Sequence, residues 1–83
     1  MDKILFKKKY KQCAICEESN YSLLDVHRIE EGKDYSESNC VVLCVSCHRL
    51  HHVGIQKIKS KRYSTIGPVV IFEKNGTEQI KII

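Results

Sequence analysis

The stretch LCVSCHRLHH, residues 43–52, places two cysteines and three histidines in ten positions. Thiolate and imidazole are the side chains that hold transition metals most tightly at neutral pH, so the stretch poses one metal site, two, or a redox pair beside incidental imidazoles. Cys44-x2-Cys47 has an upstream counterpart in Cys13-x2-Cys16, with 27 residues between the pairs. Two such pairs supply the four thiolates of a closed, tetrahedral structural Zn2+ site; the competing reading is a set of free or redox-active thiols. Cys40 is left over and reads as a buried strand residue behaving as a small hydrophobe. His48 and His52 stand at i and i+4, so on a helix their rings share one face, while Cys47 is rotated from His48 by about 100°. One short helix can therefore serve two separate ions. A Cys2His2 finger fits poorly, because Cys47 abuts His48 and no spaced histidine pair follows Cys16. His51 receives no role.

These residues need elements to position them. Residues 2–11 can form a short helix with Ile4 and Leu5 facing inward, ending at the CAIC knuckle. YSLLDVHRI, residues 21–29, alternates Leu24, Val26 and Arg28 against Leu23, Asp25, His27 and Ile29, which predicts a strand with His27 near its end. Residues 30–38 are polar and contain Gly32, so they read as a loop, and NCVVLC follows as a second strand. A helix over about 46–53 has Ser46 as its N-cap and Gly54 as its stop. The order is ββα. Residues 55–67 read as a basic linker, and Asn75-Gly76 predicts a type I′ hairpin with strands near 68–74 and 77–83. The hairpin can close the core, rest on a ligand, or offer its edge to a second copy or another protein. The whole, residues 1–83, reads as a single α+β domain whose core spans about 13–54.

With 83 residues, one apolar core supplies only a few kcal/mol, and a metal or disulfide staple is usually needed. A hydrophobic share of 42% with 29% charged residues excludes a disordered tail. An odd cysteine count, five, argues against a secreted disulfide scaffold. Near the N-terminus the apolar run Ile4, Leu5, Phe6 is too short for a signal peptide or a membrane span, so an intracellular, cytoplasmic protein without a membrane partner is expected. The formal charge of +4 falls to about +2 once zinc and four thiolates are counted, so distribution matters more than the total. Lys7, Lys8, Lys9 and Lys11 form one cationic run and Lys57, Lys59, Lys61 and Arg62 another; each suits phosphates or a solvated face equally well.

Taken together, LDVHRI, then Ser38-Asn39, then LCVSCHRLHH resemble the HNH nucleases, the ββα-metal or His-Me finger family, in the branch with two zinc-binding Cys-x2-Cys knuckles. The likeness covers about residues 13–52, with the nine-residue step from Asn39 to His48 in register. It implies a zinc-stapled ββα-metal fold with an appended C-terminal hairpin. It also implies a second, catalytic divalent metal (Mg2+, Mn2+, Ni2+ or Zn2+) on His27 and His48, with His52 as a further ligand. Asn39 would pin the loop by hydrogen bonding. The implied activity is metal-dependent DNA endonuclease, cutting double-stranded DNA to 5′-phosphate and 3′-hydroxyl ends, with Arg28, Lys57, Lys59, Lys61 and Arg62 on the nucleic acid.

One position departs from the family pattern. Where the strand usually ends in a metal ligand followed by the general base, this chain has His27-Arg28, and arginine stays protonated. Three readings follow. Arg28 neutralises phosphate while His51, Tyr35 or the metal's own water supplies the base; or His27 is itself the base and the helix alone holds the metal; or the site is inactive. In the last case the chain is a zinc-stabilised module that binds nucleic acid or protein.

Overall fold

The computed structural model describes residues 1–83, and its helices and strands form a mixed α+β fold with two helices and two antiparallel sheets. Helix α1 spans Lys3–Tyr10. It starts where the Asp2 carboxylate accepts from the Ile4 and Leu5 amides at 2.9 and 3.2 Å, a side-chain cap for amides that lack an intrahelical acceptor. It stops at Lys11, which takes the left-handed conformation at φ 65°. The buried face is not the expected one. Ile4 and Leu5 are more than half exposed, whereas Phe6 is buried and stacks at i, i+4 on Tyr10 with ring centroids 4.9 Å apart.

Strand β1, Leu24–Arg28, is shorter than expected because Tyr21–Leu23 form a 3-10 turn capped by the Asn20 side chain. It pairs antiparallel with β2, Cys40–Cys44, in a register that sets His27 opposite Val41 and Arg28 opposite Cys40. All five β2 residues are buried, which explains why its sequence is continuously apolar rather than alternating. Helix α2, Val45–His52, follows without a loop. Its N-cap is Cys44, whose sulfur accepts from the Cys47 amide at 3.4 Å, and Ser46 already lies inside the helix. The far end closes as anticipated at Gly54: the Gly54 amide reaches the His51 carbonyl and the Ile55 amide reaches the Leu50 carbonyl, with Gly54 at φ 83°. This double bond is the left-handed glycine closure of a helix.

The segment expected as a basic linker is strand β3, Gln56–Ser64. With β4, Gly67–Lys74, and β5, Thr77–Ile82, it makes a three-stranded meander in the order β3-β4-β5. The β4–β5 turn has Asn75 at φ 52° and Gly76 at φ 81°, as the type I′ geometry requires. Gln56, Ile58, Val70 and Phe72 are the buried residues of this sheet, and the last three join Phe6, Leu24 and all of β2 in one core. Lys61 ties the two sheets. Its ammonium donates to the Glu37 carbonyl at 2.8 Å and the Cys40 carbonyl at 3.1 Å, and lies 3.4 Å from the Tyr10 hydroxyl. No helix is long and apolar enough to cross a membrane.

Candidate metal centres

Cys13 and Cys16 lie on the turn after α1, where the Cys13 amide donates to the Glu18 carbonyl at 2.8 Å and Glu17 adopts φ 66°. Cys44 ends β2 and Cys47 sits in the first turn of α2. The four sulfurs lie within 4.8 Å of one another, with Cys16 and Cys44 at 3.4 Å, and no disulfide links them. Ligands of a tetrahedral zinc with Zn–S of about 2.3 Å stand about 3.8 Å apart, so the spacing fits. The electrostatics fit as well. Burial opposes ionisation of Cys13, but backbone amides around Cys16, Cys44 and Ile15 outweigh it and lower its pKa. Burial and the Cys13 charge push Cys47 far above the ordinary thiol range, and burial with neighbouring thiols also raises Cys16. Together the four can be thiolates only if a cation neutralises them. They can hold a structural metal ion such as zinc.

A second cluster lies on the other side of α2. His27 from β1 and His48 and His52 from α2 bring one ring nitrogen each within 4.8 Å of the others, and the Nε2 atoms of His48 and His52 are 3.0 Å apart. His27 is 4% exposed, and its Nε2 is buried without any hydrogen-bond partner. Burial first, then the neighbouring charges of His51, His48 and His52, hold its pKa down to about 4, so the ring is neutral at physiological pH. A buried polar atom without a partner needs explanation, and a neutral imidazole is the form that binds metal. Cys47 is buried while His48 is half-buried at the cleft, so adjacent residues of one helix serve the two clusters.

Comparison with family models, curated proteins and solved structures returns no match for this chain.

Around the histidines, Val26, Arg28, Glu31 and Tyr35 complete an open cleft of about 150 Å³. Arg28 donates to the Lys33 carbonyl at 3.1 Å and packs over the Tyr35 ring. Asn39 is buried and organises the intervening loop: its amide oxygen accepts from the Glu30 amide at 3.0 Å, and its nitrogen donates to the Glu30 and Asp34 carbonyls at 3.2 and 2.9 Å. His51, one of the candidate bases from sequence, links α2 to β3, because its Nδ1 accepts from the Ile58 amide at 3.0 Å. That bond leaves the ring proton on Nε2. The β3 cations divide. Lys61 spends its donors on the protein's own groups and is not available to a phosphate; Lys59 pairs with Glu73 at 3.2 Å; Lys57 and Arg62 are exposed.

Sequence reasoning overlooked two carboxylates. Asp25 Oδ2 is 3.8 Å from His48 Nδ1, and Glu31 lines the histidine cleft. For Asp25 a signal existed, since it lies two residues before His27 on one strand. Nothing local marks Glu31, which the 30–39 loop carries to the cleft.

Proposed function

We propose that the chain is an HNH-type, metal-dependent DNA endonuclease that hydrolyses phosphodiester bonds to 5′-phosphate and 3′-hydroxyl ends. The observation that carries this reading is the buried, unpartnered and neutral His27 beside His48 and His52, in an open cleft separate from the four-cysteine cluster. A domain that needed only a staple has no use for that second cluster. The order β1, β2, α2, with Asn39 bracing the loop between the strands, supports the same assignment.

His27, His48 and His52 would hold the divalent ion. When bound, such an ion supplies Lewis-acid charge for a phosphate oxygen and the leaving 3′ oxygen. Asp25 lies 3.8 Å from His48 Nδ1 and places a negative charge on that side of the ring, while the Nε2 faces His52. Arg28 remains cationic and neutralises the phosphate at the cleft mouth, its position fixed by Lys33 and Tyr35. Water activation falls to a cleft group other than His51, whose Nδ1 lone pair is engaged by Ile58. Glu31 is the carboxylate that lines the cleft, and it takes that role.

Zinc-loaded protein incubated with supercoiled plasmid and magnesium, manganese or nickel is expected to relax or linearise it, and EDTA to stop the reaction. Folded, zinc-loaded protein that leaves plasmid intact with all three metals would overturn the nuclease assignment and leave a binding module.

A further inference from the structure

Three cations, two from α1 and one from the end of β1, gather beside the histidine cleft. Lys3 Nζ lies 3.8 Å from the centroid of the Tyr35 ring, and the guanidinium carbon of Arg28 lies 4.6 Å from the same centroid. Lys7 Nζ lies 4.4 Å from the Tyr21 centroid and donates to the Leu24 carbonyl at 3.0 Å. Lys3 and Lys7 line a hollow with Asp25, Val26 and His48, and the last two residues also line the histidine cleft. Metal cluster and cations thus share one continuous surface.

None of the three is ion-paired, whereas Lys9, Lys33, Lys59 and Lys81 each have a carboxylate partner. Aromatic rings and backbone carbonyls hold these like charges close without cancelling them, so the surface keeps a positive potential. Its acidic residues are Asp25, which faces His48, and Glu31.

We infer that Lys3, Lys7 and Arg28 form the docking face for the phosphodiester backbone of duplex DNA and lead a strand past the histidine cleft. The inference rests on the nuclease reading for the role of that cleft. A duplex fits better than a single strand: Lys3 and Arg28 both lie against Tyr35, which leaves Tyr21 as the exposed ring of the face, fewer than the successive rings on which a single strand stacks its bases.

The test is fluorescence anisotropy of a short labelled duplex, and of one of its strands, titrated with the whole protein across a salt series without added divalent metal. Lys3→Gln and Lys7→Gln are each expected to weaken duplex binding several-fold and to lower the slope of log K against log salt by about 1. Lys7→Arg should keep the slope, and Lys74→Gln, at a residue that lines neither the hollow nor the histidine cleft, should change nothing. Lys3 is exposed, so its loss of binding cannot be ascribed to unfolding, and circular dichroism checks the Lys7 variants. Wild-type affinity and slope in both glutamine variants would overturn the docking face, and plasmid nicking by the same preparation would show the nuclease reading standing without it. Tighter binding to the single strand would overturn the choice of duplex. Slope loss in the variants, with no nicking by wild type under any metal, would uphold the face and remove the nuclease reading.

Discussion

At the scale of single residues, the decisive group is His27. Its pKa of about 4 against an ordinary 6.5 has a consequence for stability. Between these values the unfolded chain binds a proton that the folded chain does not, so stability rises with pH across the window. The contribution is fully present above 6.5 and is lost as the pH falls towards 4. Urea midpoints of wild type and His27→Leu, without metal at the histidines, should therefore keep a constant gap above that window. Wild type should lose ground to the variant inside it. In the nicking assay, His48→Ala should remove activity while zinc content stays at one ion per chain, since no cysteine is disturbed. Glu31→Gln should slow nicking by about 100-fold, the usual effect of losing a general base, and flatten the acid limb of the pH profile. The Cys-x2-Cys pairs and the His48 and His52 pair were legible in the sequence, because x2 and i, i+4 spacings are satisfied within one or two turns of chain, whereas His27 reaches that pair only through the packing of β1 against α2. Asp25 and Glu31 were not, since their meaning depends on neighbours supplied by other elements.

At the scale of elements, two mis-assignments share one cause. For α1, the sequence suggests Ile4 and Leu5 as the inner face, yet Phe6 is the residue buried in the core with β2, and Tyr10 packs partly buried beside it. For β3, the lysines of residues 57–62 read as a linker, although Gln56 and Ile58 alternate inward and β4 supplies the pairing that makes the strand. In both cases the packing partner outweighs the local pattern. Asn39 shows the opposite, a polar side chain whose place in the loop was anticipated and whose bonds are now explicit. Asn39→Ala removes three part-buried hydrogen bonds, each worth about 1 kcal/mol, so a loss of about 3 kcal/mol is expected by chemical denaturation, with nicking reduced beyond the folded fraction.

For the whole molecule, the four-cysteine cluster, which can hold a metal ion, joins the α1 turn, β2 and α2, and Lys61 joins the two sheets. Chelating a metal bound at the four cysteines is expected to abolish the cooperative thermal transition, as followed by circular dichroism, because the metal–sulfur bonds that join three segments of the chain are lost and neutral thiols do not replace them. The hairpin leaves β5 as a sheet edge, with Ile80 and Ile82 exposed on it. By itself the sequence determined the two Cys-x2-Cys pairs, the His48 and His52 spacing, the order β1, β2, α2, the glycine end of α2 and the Asn75-Gly76 turn, all read from residues a few positions apart. Only the tertiary structure decided that Lys61 is desolvated, that residues 56–64 are a strand, and that Lys3, Lys7 and Arg28 share one face. Those outcomes depend on which distant segments pack together, and a lysine carries the same local signal whether it meets water, a carbonyl or a phosphate.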